Sequence, residues 1–420
     1  MKISVIGSGF SSLSAACYLA QDGHSVSVYE KNNTLGGRAR KFEDNGFVFD
    51  AGPSWYWMPD VFESFFNDFN KTTSDFYELL RLSPSYKVVW PDGSDDIPSN
   101  FDELRSYFEA YEQGAGKNLE KFLEEAKFKY EVGMGDFVQK PSLSVGEFIS
   151  LDTAKKGLSI DLFKPISKHI RQFFNHPKLI ELLEFPVLFL GAKPKNTPAL
   201  YSLMNYADMV LGTWYPKGGM NKIIQGMVDV GRSLGVDYYT NSTVEQIVTE
   251  SGKATGIISN GNFIESDVVV SGADYHHTEQ HLLKEQDRNY SKKYWDKRTM
   301  APSSLLYYVG LDKTIVGLHH HNLFFDKDFD THAVEIYDTH QWPQEPLFYV
   351  CCPSKTDSTV APKGKENIFI LIPVSTRIED SNAIKQRYFN LVAERITKHT
   401  GVDIRNHIEV YHTFANSDFK

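Results

Sequence analysis

The sequence predicts an α/β fold in two interleaved domains. Three observations predict it. A strand–helix–strand pattern opens the chain, a mostly helical stretch broken by prolines runs from about 100 to 230, and short β-branched strands return after it. No low-complexity linker separates these parts and no internal repeat is evident, so the domains are expected to be woven together by insertion.

Residues 2–7 (Lys2-Ile3-Ser4-Val5-Ile6-Gly7) read as a buried strand. Residues 10–23 read as a helix, with Leu13, Ala16, Cys17 and Ala20 spaced for one packed face and Gly23 as its stop. Residues 25–30 are a second strand and complete a βαβ unit. Gly46–Asp50 and Lys87–Trp90 are the next strands. Pro141, Pro165, Pro177, Pro186, Pro194, Pro198 and Pro216 break the helical stretch. Val236–Thr240, Thr243–Thr249, Thr255–Ser259, Asn262–Glu265 and Asp267–Ser271 are short strands joined by turns such as Asn260-Gly261. Beyond about 300, the strands Ser304–Leu311, Leu347–Val350 and Asn367–Pro373 precede a long helix at about 381–399. These readings assign residues 1–72 and 215–298 to one domain and 73–214 and 299–415 to the other.

Hydrophobic content of 41% and charged content of 23% are those of an ordinary globular chain of 420 residues. Aromatics reach 14%, which suits either a large apolar cavity or a well-filled core. A formal net charge of -10 argues against a nucleic-acid partner. The cysteines are Cys17, Cys351 and Cys352; an odd count with two adjacent makes no disulfide framework and points to a reducing, cytoplasmic compartment. The start of the chain superficially resembles a signal peptide, but Gly7, Ser8 and Gly9 interrupt the apolar run and a second strand follows. No segment has the roughly 18 uninterrupted apolar residues of a spanning helix, so a soluble or peripherally membrane-associated protein is expected.

The pattern Gly7-x-Gly9-x-x-Ser12, set between strand and helix and followed by Glu30 at the end of the second strand, is a dinucleotide fingerprint. Gly7 permits the tight turn, and Gly9 lets backbone approach a pyrophosphate. Ser12 stands where Gly or Ala is usual, small enough for close helix–strand packing. The helix start offers free N–H groups and a partial positive charge, and Glu30 is placed to accept hydrogen bonds from ribose hydroxyls. Shortly afterwards, Leu35-Gly36-Gly37-Arg38 provides a second close backbone approach and a planar, permanently charged donor.

The run from Val5 to Phe10, Glu30-Lys31 and Gly36-Gly37-Arg38 resembles the FAD-binding region of the amine oxidase and carotenoid desaturase superfamily. Phe47-Val48-Phe49-Asp50-Ala51-Gly52-Pro53-Ser54 is similar to the segment that follows this motif in bacterial phytoene desaturases. Tyr215-Pro216-Lys217-Gly218-Gly219-Met220 and Asp267 to Asp274 resemble later stretches of the same family. The resemblance implies a Rossmann-like FAD-binding domain interleaved with a mixed α+β substrate domain. It also implies that Gly7, Gly9, Ser11, Ser12, Glu30, Lys31, Gly37 and Arg38 contact FAD, that Gly52, Pro53 and Ser54 lie toward the flavin, and that Val244 holds the adenine through its backbone. The family carries a glycine-rich segment near its C-terminus, and this sequence stops at Lys420 before one, so it reads as truncated, with weakened FAD binding expected.

The implied reaction is flavin-mediated desaturation of an apolar polyene, with phytoene as the expected substrate. A desaturase or isomerase for another carotenoid and a non-redox binder of prenylated proteins are the alternatives. No second Gly-x-Gly-x-x-Gly unit is present, so an external acceptor, oxygen or a quinone, is expected to reoxidise the flavin. Gly114-Ala115-Gly116-Lys117-Asn118 lacks the first glycine and the Ser/Thr of a P-loop. No catalytic base stands out among the many carboxylates. No metal is expected: His319-His320-His321 and His276-His277 read as loop or surface runs. Between about 160 and 215, Phe163, Ile166, Ile170, Phe173 and Phe174 lie beside Lys164, Lys168, His169 and Arg171, followed by Phe185, Val187, Leu188, Phe189 and Leu190. A core-packing helix is the expected reading, and a basic amphipathic helix on a membrane surface the alternative.

Overall fold

A computed structural model describes residues 1–138, 140, 144 and 161–419. Pro141 and residue 160 fall outside them, as do the side chains of Phe189 and Leu190. The chain forms two compact units, Met1–Leu80 with Tyr215–Thr299, and Arg81–Trp214 with Met300–Lys420.

The first unit is built on a parallel sheet in the order Val268–Ser271, Lys2–Ile6, Ser25–Tyr29, Asp237–Tyr239. Its residues are β-branched because the sheet is covered: Ile3, Val5, Val26 and Val28 are buried. The helix Phe10–Gln21 buries Ser12, Leu13, Ala16, Cys17 and Ala20, a stripe set by the 3.6-residue period. An antiparallel sheet of Val244–Glu250, Lys253–Ser259 and Asn262–Glu265 adds a small core, in which Val244, Ile247 and Ile257 pack with Ile6 and Tyr29.

The second unit carries a seven-stranded sheet in the order Ile408–Phe414, Ser303–Leu311, Glu366–Val374, Phe348–Cys351, His321–Phe324, Tyr86–Trp90, Gly93–Ile97. The helix Asn382–Thr400, capped by the Ser381 hydroxyl, lays Tyr388, Phe389, Val392, Ala393 and Ile396 on Leu305, Tyr307, Val309, Ile368 and Ile370. Each such large apolar side chain contributes about 1.5–3 kcal/mol by leaving water. Among the described residues no helix is long and apolar enough to cross a membrane.

One sequence reading changes here and one is kept. His321–Phe324 is an interior strand, and His320 and His321 are 5% and 0% exposed, so His319–His321 is not a surface run. Neighbours pair with both edges of this strand and all four of its residues are buried, and a strand buried on both faces shows no alternation to reveal it. His276 and His277 are exposed. The segment after 160 keeps the core-packing reading. Its helix is only Ile166–Ile170, between Pro165 and Pro177, and Ile166, Ile170 and Phe174 are all 0% exposed. The stripe therefore packs into the core, while Phe163 alone of it stands 91% exposed.

Candidate dinucleotide-binding site

The first strand ends at Ile6, and Gly7 turns the chain with φ +83°, its N–H bonded to the Tyr29 carbonyl at 2.8 Å. Gly9 caps the helix Phe10–Gln21 in an extended conformation, φ -74° and ψ 176°. Ser8, between the two glycines, is 1% exposed and acts as a hub. Its hydroxyl donates to Glu30 Oε2 at 2.6 Å and accepts from the Gly36 N–H at 3.0 Å, and its carbonyl accepts from the same N–H at 3.1 Å. The two glycine loops are thus in direct contact. A Cβ on Gly37, at φ +56°, would lie 3.2 Å from Gly9 Cα.

Ser12 departs from the usual small residue for a reason visible in its surroundings. Its Oγ lies 3.3 Å from the Ile6 carbonyl, to which it donates, and a Cβ on Gly272 would come within 1.9 Å of it. Gly272 follows the Val268–Ser271 strand and bonds its N–H to Ile6 O at 3.0 Å. The serine and the glycine occupy one space, and the helix can approach the sheet only with both.

Glu30 is 3% exposed, and its carboxylate is already engaged. Oε2 accepts from the Ser8 N–H at 3.1 Å besides the Ser8 hydroxyl, and Oε1 accepts from the Asn32 N–H and Nδ2 at 2.9 and 2.6 Å. These four bonds use about all the acceptor positions of a carboxylate, so a ribose hydroxyl has to displace or share with the Asn32 amide. Glu30 is therefore first a loop organiser, which the sequence reading of a free ribose acceptor did not contain.

Ser11, Lys31 and Arg38 are exposed, and Gly52, Pro53 and Ser54 are half-buried. Gly52 meets the Arg38 segment so closely that a Cβ would lie 1.9 Å from the Arg38 carbonyl oxygen. Ala51 N–H bonds Arg40 O at 2.8 Å, which fastens the same two segments. Val244 is buried beside Tyr29, and Ser242 N–H bonds Glu30 O at 2.8 Å. A bulge follows between Val244 and Gln246. Gly7, Gly9, Ser12, Glu30 and Gly37 are thus gathered around Ser8, Arg38 and Gly52 form a second contact, and Val244 joins through Tyr29.

Asp50, Asn221 and Gly272 were missed as site-builders. Asp50 accepts from the Met220 and Asn221 N–H groups at 2.8 and 3.1 Å, at the start of the helix Asn221–Ser233. Burial raises its pKa to about 6. Gly219, at φ +96°, brings the chain so near that a Cβ would sit 2.7 Å from Asp50 Oδ2. Asn221 Nδ2 donates to Ala39 O at 3.0 Å. The signal was the presence of Asp50 and of Gly218-Gly219-Met220 in two quoted runs; their pairing was not readable from either alone.

A dinucleotide needs bare backbone N–H groups at a helix N-terminus. A Cβ on Gly9 would meet no described atom within 4 Å, so space is left open beside this stretch of backbone.

Comparison with known proteins identifies the family. Residues 10–391 match the model of the flavin containing amine oxidoreductase family. A carotenoid 3,4-desaturase of Haloarcula japonica is 41% identical over 419 residues, covering 99% of this chain and 85% of that protein. A 4,4'-diapophytoene desaturase (4,4'-diaponeurosporene-forming) of Staphylococcus haemolyticus is 31% identical over 380 residues, 89% of this chain and 76% of that one. The crystal structure of an oxidoreductase from Methanosarcina mazei has the same fold, with a TM-score of 0.64 at 17% identity over 99% of this chain and 88% of that chain. The chain belongs to the carotenoid desaturase branch of the flavin-containing amine oxidoreductase family and is an FAD-dependent oxidoreductase.

Proposed function

We propose that this protein desaturates a carotenoid. The observation that carries the reading is the 41% identity to a carotenoid 3,4-desaturase along 99% of the chain. Bound FAD supplies the hydride acceptor for an allylic C–H bond. The chain's own residues hold and shield it. Gly7, Gly9, Ser11 and Ser12 would meet the pyrophosphate at the helix start, with Gly37 and Arg38 beside them; the bare face of Gly9 and the exposed Arg38 side chain support this. Glu30, with Lys31 next to it, would take the ribose after exchange with Asn32, and Val244 would hold the adenine through its backbone. Gly52, Pro53 and Ser54 would lie toward the flavin ring. The second unit is assigned the apolar polyene, and Phe163, 91% exposed, is assigned to a membrane surface. Reoxidation is assigned to an external acceptor, oxygen or a quinone.

Phytoene was the substrate expected from sequence. The higher identity to a 3,4-desaturase than to a diapophytoene desaturase, 41% against 31%, favours a more advanced carotenoid as the first to test. The purified FAD-loaded protein is incubated in liposomes with phytoene, and separately with a long conjugated carotenoid carrying saturated C3–C4 bonds. A red-shifted absorption band with the second alone supports 3,4-desaturation, and coloured product from phytoene supports the earlier step. No product from either, with FAD bound and a quinone present, contradicts carotenoid desaturation.

A further inference from the structure

We propose that the second unit binds a zinc ion through His320, His321 and Cys351. The strands His321–Phe324 and Phe348–Cys351 pair antiparallel with His321 directly opposite Cys351, and the Cys352 N–H bonds the His320 carbonyl at 2.7 Å. This register brings one ligand atom from each of the three residues within 4.8 Å of the others. Their exposures are 5%, 0% and 1%, and the two imidazole rings lie 4.5 Å apart between centroids.

The surroundings are those of metal ligands. His320 Nδ1 is hydrogen-bonded to Thr356 Oγ1 at 2.8 Å, and His321 Nδ1 to the Tyr349 hydroxyl at 2.6 Å. A hydroxyl on Nδ1 fixes ring orientation, as such partners do at metal centres, and gives the role of ligand to Nε2, which is shielded from solvent in both rings. Asp357, 2% exposed, acts electrostatically on His320. With the Cys351 thiolate it balances the two positive charges of the ion. Two imidazoles and a thiolate form a borderline-to-soft donor set, which suits zinc.

A tetrahedral zinc ion spaces such ligands about 3.3–3.6 Å apart, so side-chain rotation has to close the cluster by about 1 Å. Binding breaks the Cys351 S–H bond, forms a Zn–S bond and releases one proton to solvent. By contrast, the group Glu125, Asp161 and His169 already holds the Lys129 ammonium, 2.9 Å from Asp161 and 3.2 Å from His169 Nε2.

The test uses the full chain, stripped with a chelator and titrated with Zn²⁺, and with Co²⁺ for its spectrum. The expected result is one ion per chain, a thiolate-to-cobalt charge-transfer band, and one proton released. Cys351→Ser weakens binding at least 100-fold. Tyr349→Phe, which keeps the ring and removes only the hydroxyl on His321, weakens it about 10–100-fold with unchanged far-ultraviolet dichroism. Replacing His277 and His281, whose rings lie 5.2 Å apart in the first unit, leaves affinity unchanged. If Cys351→Ser does not fold, Tyr349→Phe and the protection of wild-type Cys351 from alkylation by Zn²⁺ decide the matter. Absence of binding by the wild type, wild-type affinity in Tyr349→Phe or Cys351→Ser, or loss of binding on replacing His277 and His281, overturns the proposal.

Discussion

In the glycine loops of the first unit the working surface is backbone, whereas in the seven-stranded sheet of the second it is side chain. At Gly52 a single methyl group would lie 1.9 Å from the Arg38 carbonyl. At Tyr307, in the sheet, a whole phenol is buried, its hydroxyl donating to the Lys385 carbonyl at 2.7 Å. The loop is defined by what its residues lack, and the sheet by the volume its residues fill. The two regions should therefore answer to substitution in different ways. Volume-conserving changes in a core cost below about 1.5 kcal/mol, while an added Cβ in a close backbone contact forces the chain itself to move.

The largest effect is expected for Gly52→Ala. It should cost about 3 kcal/mol or more and abolish FAD retention, read from the melting temperature and the flavin absorbance of the purified protein. Gly272→Ala drives a methyl into Ser12 Oγ and should cost about 1–3 kcal/mol. The Ser12→Gly change in the same chain should restore part of this, and a double-mutant cycle with no coupling would break the account of why Ser12 is tolerated. Asp50→Ala removes a carboxylate that serves the Met220 and Asn221 N–H groups and should cost about 1–2 kcal/mol. Ile370→Val, in the sheet, should cost about 0.5–1.5 kcal/mol with FAD occupancy unchanged, and a loss of flavin from it would erase the contrast between the two regions.

The smallest effect is a slope in pH. Asp208 is fully buried in the second unit, accepting from Tyr86 Oη at 2.8 Å and Thr213 Oγ1 at 3.0 Å, and burial raises its pKa to about 7. The folded state therefore binds this proton more tightly than the unfolded chain. The resulting stability is complete below the ordinary carboxylate range and is lost as pH rises from about 4 through about 7. The melting temperature should fall across that window in the wild type and fall less in Asp208→Asn.

The same contrast decides what was legible in the sequence. Gly7, Gly9 and Gly37 could be read because backbone that must turn or approach a ligand closely admits only the smallest residue. The first helix could be read because Leu13, Ala16, Cys17 and Ala20 repeat at its period. Asp50 could not, since its partners Met220 and Asn221 are 170 and 171 residues away and nothing local marks a carboxylate that caps a distant helix. Gly272 was likewise hidden, its need set by Ser12 across the sheet. The run His319-His320-His321 reads as loop or surface because consecutive histidines show no single packed face, while the burial of His320 and His321 comes with the pairing of His321–Phe324 to Phe348–Cys351 and Tyr86–Trp90, strands distant in sequence.

Gly9→Val tests the central claim most directly. Gly9 has φ -74° and ψ 176°, which valine adopts, and a Cβ there meets no described atom within 4 Å. The substitution should leave the melting temperature of the flavin-free protein unchanged while lowering FAD affinity at least 100-fold, measured by titration of the flavin-free protein with FAD. Wild-type FAD affinity in a folded Gly9→Val protein would contradict the assignment of this loop as the site of the cofactor's pyrophosphate.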